Sequence, residues 1–223
     1  KLSNATAGDL WHYLSQASGT DVGAVARSWT DQKGYPLLQA RVTCEHGKQT
    51  LELEQQRFSV DDAVDATSLW QVPFAVSAGT AAPVHLLLAG RSATFAIGPC
   101  TTAPLFVDSS AGFFRVQYPP EHLHRLTRAF PELSPSARLA LLTDAFALGQ
   151  AGRIPLAEYF ALLSRLRPAG DPATLVLFLQ ADYALSNLDG AMHGAPAQKS
   201  LHSYARNKLG PMLRQLGWSV SPS

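Results

Sequence analysis

The seven histidines are the side chains in this sequence with the widest chemical use, since histidine serves both as a metal ligand and as an acid–base catalyst. Two histidines on one helix can share a metal ion when they are four residues apart, and no two of the seven have that spacing. His122 and His124 follow two prolines that favour the start of a helix, where residues two apart point about 200° away from each other. The histidines at 12, 46, 85, 122, 124, 193 and 202 therefore predict no metal site.

Signatures of nucleophilic and phosphate chemistry are also incomplete. A nucleophile elbow needs Gly-x-Ser-x-Gly between a strand and a helix, whereas residues 90–94 read Gly-Arg-Ser-Ala-Thr. Neither of the glycine-rich phosphate-binding motifs occurs. Asp61, Asp62 and Asp65 form a carboxylate cluster, but they lie in a polar stretch between predicted strands and lack the pattern of a calcium loop. We therefore predict no catalytic, cofactor-binding or metal-ligating residue in this chain.

The composition is that of a folded protein without a surface for nucleic acid or acidic lipid. The chain has 223 residues, 46% of them hydrophobic and 16% charged, with a formal net charge of +1. Its Lys and Arg residues are scattered, whereas a phosphate-binding surface needs them clustered. No apolar run approaches the roughly 18 residues of a transmembrane helix. The sequence thus favours a protein that binds neither nucleic acid nor membrane.

Cysteine usage suggests either a reduced cytosolic protein or a protein that is indifferent to oxidation. Cys44 and Cys100 are the two cysteines, too few for a disulfide framework. Free cysteine is among the most often buried residue types. We expect two reduced, buried thiols and a cytoplasmic location.

The first 36 residues predict a pair of helices. Asp9 and Asp21 are placed to cap the first and the second helix. Leu10, Trp11 and Leu14 have the spacing of a buried stripe on the first helix.

From about residue 37 to residue 118, apolar residues recur at every second position, which is typical of strands. Alternating runs on either side of His46 and Gly47 predict a hairpin with one solvated face. Pro73, in the run 70–76, suggests an edge position or a bulge. Six or seven short strands separated by glycines indicate a small β-sandwich.

Helices are predicted from residue 119 onwards. Ser134 and Pro135 have the residue types of a helix start, and the helix that follows is apolar on two sides. Such a helix packs between layers, as in a stack of helix pairs. The fold class is therefore α+β and multidomain, with a short helix pair at 1–36, a small β-sandwich at 37–118 and a solenoid-like helical array starting at 119–223. The polar ending suggests that the array is cut short and that the chain is part of a longer protein.

Several stretches, in this order and at these intervals, resemble the C-terminal part of M1-family zinc aminopeptidases of the aminopeptidase N type. They are Trp-Thr-Asp-Gln-Lys-Gly-Tyr-Pro at 29–36, Gln-Gln-Arg-Phe at 55–58, Leu-Trp-Gln-Val-Pro at 69–73, Gly-Phe-Phe-Arg-Val-Gln-Tyr at 112–118 and Asp-Ala-Phe-Ala-Leu at 144–148. The resemblance implies the end of a catalytic domain, a β-sandwich domain and the start of a helical domain.

The family's catalytic motifs are absent from this chain. These are the zinc motif His-Glu-x-x-His and the substrate-binding Gly-Ala-Met-Glu-Asn; residues 190–194 read Gly-Ala-Met-His-Gly, with histidine in place of the amine-binding glutamate. The resemblance thus implies a non-catalytic scaffold fragment with no cofactor of its own, and zinc in the parent enzyme, which removes N-terminal residues from peptides.

The partner implied by the resemblance is the missing catalytic domain of the same polypeptide, and peptide substrate would be met only through that parent. The alternative is a stand-alone protein-interaction module without enzymatic activity. An exposed apolar patch on residues 8–36 would favour the first hypothesis, and a patch on the helices beyond 120 would favour the second.

Overall fold

The computed structural model describes residues 4–60, 67–79, 81–109, 112–168 and 172–215. Its architecture is α+β, with a β-sandwich-like part followed by helices, as predicted. The chain separates into two compact units, residues 1–122 and residues 123–223, which are described in turn. The finer division into three domains stays a prediction.

A helix hairpin opens the first unit. Its helices are α1, Ala7–Ser18, and α2, Val22–Thr30. The side chain of Thr6 caps α1 and pairs reciprocally with Asp9 in a capping box, so the prediction that Asp9 itself is the N-cap was wrong by three residues. Asp21 caps α2 as predicted.

The described residues then form seven strands in two sheets. One sheet has the order β5-β2-β1-β7 and the other has the order β4-β3-β6. The predicted hairpin is β1 with β2, antiparallel, and β7 pairs with β1 in parallel. The strands are β1 (Pro36–Glu45), β2 (Lys48–Arg57), β3 (Val72–Ala78), β4 (Val84–Leu88), β5 (Ser92–Pro99), β6 (Leu105–Asp108) and β7 (Arg115–Gln117).

Both sheets bury alternate residues in the core of this unit. Leu51 and Leu53 of β2 and Val72 of β3 are almost fully buried, and the rings of Phe74 and Phe95 meet 5.3 Å apart. β3 is the central strand of its sheet, yet Pro73 lies where β4 pairs with it and β6 does not. The edge position suggested for this proline is thus correct locally, although the strand as a whole is central.

Cys44 and Cys100 form a disulfide with their Cα atoms 5.8 Å apart, so the prediction of two reduced, buried thiols was wrong. Cys44 is the second-last residue of β1, next to the tip of the β1–β2 hairpin, and is exposed. The antiparallel pairing of β2 with β5 places Pro99 opposite Lys48, next to that tip. Sheet pairing therefore joins two cysteines that are 56 residues apart in sequence.

The second unit is helical. Ser134 caps α4 through its Oγ, and α4 is buried on several sides, as its two apolar stripes predicted. α4 packs against both α5 and α6, and α6 packs against α7. Helix α6 ends at Ala191, and a turn leads from it into α7. The helices are α3 (Pro120–Ala129, which begins in the first unit), α4 (Pro135–Gln150), α5 (Leu156–Arg165), α6 (Pro172–Ala191) and α7 (Gln198–Gln215).

None of the helices in the described ranges is both long enough and apolar enough to cross a lipid bilayer.

Candidate functional site

The one buried histidine of the described first unit holds strands in place. His122 lies at the start of α3, its Nε2 is 2.7 Å from the carbonyl oxygen of Leu105, and its ring stacks on Tyr118. The hydroxyl of Tyr118 accepts the backbone N–H of Val107 at 2.8 Å. These two aromatic side chains thus attach the start of the helix to β6.

The histidines of the second unit form separate pairs with carboxylates. His124 contacts Glu158 on α5 at 3.0 Å, and His202 on α7 contacts Asp189 on α6. Hydrogen bonds from Gln198 and then from His202 hold the pKa of the Asp189 carboxyl below its usual value. Both pairs are exposed or partly exposed, so they join neighbouring helices without forming an enclosed site.

Across the described ranges, no three His, Cys, Asp or Glu side chains come together in a way that could hold a metal ion. The residues present therefore do not fit a zinc site, and we assign no step of a zinc-dependent reaction to them. The carboxylate cluster at 61, 62 and 65 lies outside the described residues. Residues 190–194 form the end of α6 and the turn after it.

A buried glutamine of β2 joins its sheet to the segment that leads into β3 of the other sheet, and sequence reasoning missed its role. The side-chain nitrogen of Gln55 donates to the carbonyl oxygens of Trp70 and Gly90, at 2.7 Å each, and its oxygen accepts the N–H of Trp70 at 2.9 Å. The residue is fully buried. Its position in the inward-facing series with Leu51 and Leu53 was the available signal. Gly90 lies in the bend before β5, and a strand and not a helix follows it, in agreement with the incomplete nucleophile elbow.

Helix α2 is fixed to the sandwich by three polar contacts that reach the segment before β3. The indole N–H of Trp29 donates to the carbonyl of Gln71 at 2.9 Å, and the amide of Gln32 donates to the carbonyl of Leu69 at 2.7 Å. The backbone N–H of Gln71 in turn donates to the hydroxyl of Ser28 at 3.0 Å. These hydrogen bonds hold one face of the hairpin on the segment before β3 and give the backbone groups of that segment their partners.

Helix α1 is attached through α2 and exposes a different face. Ser15 faces α2, where its hydroxyl accepts the N–H of Val22 at 3.0 Å, and Trp11 is half-buried. Leu10, Tyr13 and Leu14 are 52%, 66% and 42% exposed, and α1 contains no buried residue. The predicted burial of Leu10 and Leu14 was therefore wrong, whereas Trp11 is half-buried. We call the exposed apolar side formed by Leu10, Tyr13 and Leu14 the hairpin face.

A second apolar stripe lies in the other unit. Val176, Leu179 and Tyr183 are all exposed, and their spacing places them on one side of α6. The opposite side of α6 carries buried residues such as Leu177 and Leu185.

Comparison with known proteins decides the family. Residues 107–223 match the family model described as the ERAP1-like C-terminal domain. The chain belongs to the M1 aminopeptidases, as part of their C-terminal region. The match begins in β6 and includes the described helices α3 to α7.

Relatives of this aminopeptidase region include a puromycin-sensitive aminopeptidase of Caenorhabditis elegans, 33% identical over 71% of the chain and 18% of that protein. The alanine/arginine aminopeptidase of Saccharomyces cerevisiae is 29% identical over 99% of the chain and 25% of its own length. Aminopeptidase M1 of Arabidopsis thaliana is 30% identical over 90% of the chain and 24% of its length. The chain thus spans a quarter or less of the relatives it matches.

Proposed function

We propose that this chain is a non-catalytic scaffold region of a zinc-dependent M1 aminopeptidase, and that its hairpin face docks a catalytic domain on the same polypeptide. The observation that carries the proposal is the two-sided hairpin. Hydrogen bonds of Trp29, Gln32 and Ser28 hold one side on the sandwich, while the other side presents apolar residues to solvent.

The hairpin face has the exposed, apolar character of a surface that binds another domain. Leu10, Tyr13 and Leu14 follow the i, i+3, i+4 spacing of one helix face. Completing the burial of each half-exposed leucine would contribute roughly 1 kcal/mol, about half the value for a fully buried side chain. The family resemblance of residues 29–36 to the end of a catalytic domain supports the identity of that partner.

The chemistry proposed for the whole enzyme lies outside this chain. Such an enzyme would bind one zinc ion through two histidines and a glutamate and would remove N-terminal residues from peptides. This chain would hold no cofactor, would meet peptide only through that enzyme and would bind neither nucleic acid nor membrane. A cytoplasmic location stays a prediction.

A second candidate function is a stand-alone protein-interaction module without enzymatic activity. The exposed stripe of Val176, Leu179 and Tyr183 on α6 favours it, because a helix face with three apolar residues can bind a partner helix or groove. The two candidates differ in which stripe is needed.

The first experiment measures zinc content and the hydrolysis of an aminoacyl-fluorophore by the chain, purified without chelators or metal-affinity resin. We expect less than about 0.1 zinc per chain and no turnover, since a tight site needs three or four converging ligands. About one tightly bound zinc per chain would contradict the non-catalytic role.

The second experiment separates the two stripes in a polypeptide in which the proposed catalytic domain precedes this chain. The double variant Leu10→Ser, Leu14→Ser is expected to lower the thermal midpoint of the catalytic domain, because apolar contact is lost at its docking surface. The matched control, Val176→Ser with Leu179→Ser, should leave that midpoint unchanged. Equal effects of the two pairs, or an effect of the control alone, would refute docking at the hairpin face.

A further inference from the structure

We propose that the Cys44–Cys100 disulfide is a thiol-exchange site, at which a dithiol reductant opens the tip of the four-stranded sheet without unfolding the unit. The proposal is independent of the aminopeptidase role, because it rests on the sandwich alone.

The disulfide lies where three segments meet. Cys44 is the second-last residue of β1, the tip of the β1–β2 hairpin follows it, and Cys100 directly follows β5. The backbone N–H of Cys100 donates to the carbonyl of Gly47 in that tip at 3.0 Å. The pairing of β2 with β5 shifts register between Gln49 and Thr50. On the hairpin-tip side of this register shift, the disulfide is the covalent link between the end of β5 and the tip.

The two cysteines differ in exposure. Cys44 is exposed, whereas Cys100 is half-buried. Thiol–disulfide exchange requires a thiolate to reach one sulfur from the side opposite the other sulfur. The geometry therefore favours attack on the sulfur of Cys44, with Cys100 as the leaving group.

The reaction balances with a dithiol as the reductant. Its first thiolate bonds to the Cys44 sulfur, the bond between the two protein sulfurs breaks, and Cys100 leaves as a thiolate that takes up a proton. The second thiol of the reductant, as its thiolate, then displaces Cys44 and forms the reductant's own disulfide. The protein gains two electrons and two protons, and the reductant loses the same number.

Reduction is expected to act locally. On the far side of the register shift, β5 keeps its pairing with β2 from Thr50 to Glu54. The hydrogen bond from Cys100 to Gly47 loses its covalent support. The amides of Gly98 and Cys100 should then exchange with solvent faster, while those of buried β2 residues such as Leu53 stay protected.

The test measures the rate of reduction in native buffer over a series of dithiothreitol concentrations, with alkylation and intact mass as the readout. We expect a rate proportional to dithiothreitol and at least tenfold faster than global unfolding, since an exposed residue such as Cys44 can be attacked without unfolding. A rate that levels off at the unfolding rate would overturn the proposal, as would a chain that is purified with both thiols free.

Glutathione trapping locates the attacked sulfur. Partial reduction with reduced glutathione should leave the adduct on Cys44, and an adduct on Cys100 would overturn the assignment. Matched single variants complete the test. The Cys100→Ser chain should form a mixed disulfide with oxidised glutathione about tenfold faster than the Cys44→Ser chain. Equal rates for the two variants would contradict the difference in exposure.

Discussion

Replacing Gln55 by leucine should strongly destabilise the unit formed by residues 1–122. The glutamine is fully buried and makes three side-chain hydrogen bonds, one to the N–H of Trp70 and two to the carbonyl oxygens of Trp70 and Gly90. Leucine has a similar size but can neither donate nor accept. The variant therefore leaves the N–H and the carbonyl of Trp70 without their partner in a buried place, and the carbonyl of the exposed Gly90 without its partner nearer the surface.

The magnitude follows from those groups. Leaving a buried donor or acceptor without its partner costs about 1–3 kcal/mol. Burial of the apolar leucine side chain returns roughly 1 kcal/mol. Because the carbonyl of Gly90 can be hydrated, the two buried groups of Trp70 set the magnitude, and we expect a net loss of about 1–5 kcal/mol in the free energy of unfolding.

The assay is guanidinium unfolding followed by tryptophan fluorescence. Three of the four tryptophans, at 11, 29 and 70, lie in this unit. The rings of Trp29 and Trp70 are neighbours, and Trp70 is itself a hydrogen-bond partner of Gln55. The matched control is Gln56→Leu, one residue further along β2 on the opposite side of the strand. It should change the free energy of unfolding by less than about 0.5 kcal/mol.

The reasoning would be refuted by a loss below about 1 kcal/mol for Gln55→Leu, or by an equal loss for the control. Either result would mean that the hydrogen bonds of Gln55 are not needed to hold its sheet on the segment that leads into β3. A change in the slope of unfolding with guanidinium, without a change in midpoint, would point to the unfolded state instead.

Three further predictions concern other parts of the chain. Burial, and then the neighbouring Tyr204, raise the pKa of the Tyr159 hydroxyl, which makes no hydrogen bond within the described residues. Because the unfolded tyrosine ionises near pH 10, the stabilisation should be complete below that pH and decrease above it. Urea unfolding of Tyr159→Phe should show no such decrease, and the free energy of unfolding should rise by about 1 kcal/mol at pH 7. A lower free energy of unfolding at pH 7 would contradict this prediction. In guanidinium unfolding, the double variant Cys44→Ser, Cys100→Ser should lose about 4 kcal/mol or less of its free energy of unfolding, which is the value for a closed loop of 56 residues. Dithiothreitol should have no effect on this variant. An unchanged unfolding midpoint would argue against the disulfide. Amides of α1 should exchange fastest among the described helices and strands, since α1 has no buried residue, and protection equal to that of β1 would count against an unpartnered hairpin face.

Elements of this fold were predictable where the signal is local. Asp21 and Ser134 cap helices because a short polar side chain meets free N–H groups, wherever the helix lies. The period of two along residues 37–118 predicted the strands, because alternate burial needs only one core face. The family could also be inferred from the sequence, since its motifs fall in order along the chain.

The candidate site was less predictable, because burial depends on what lies next to a residue in space. The spacing of Leu10 and Leu14 shows which helix face is apolar, but only the tertiary structure shows that α2 covers a different face. A glutamine in a strand is expected to be exposed because it is polar. The inward register of β2 instead buries Gln55, where it bonds to the segment before β3.

The sequence by itself determined the types of the elements, the family resemblance and the absence of the family's catalytic motifs from these 223 residues. The tertiary structure decided the disulfide, the hairpin face and the role of Gln55. The physical reason is the same in each case. Capping and periodicity act between residues a few positions apart, whereas Cys44 and Cys100, which are 56 residues apart, meet only because β2 pairs with β5.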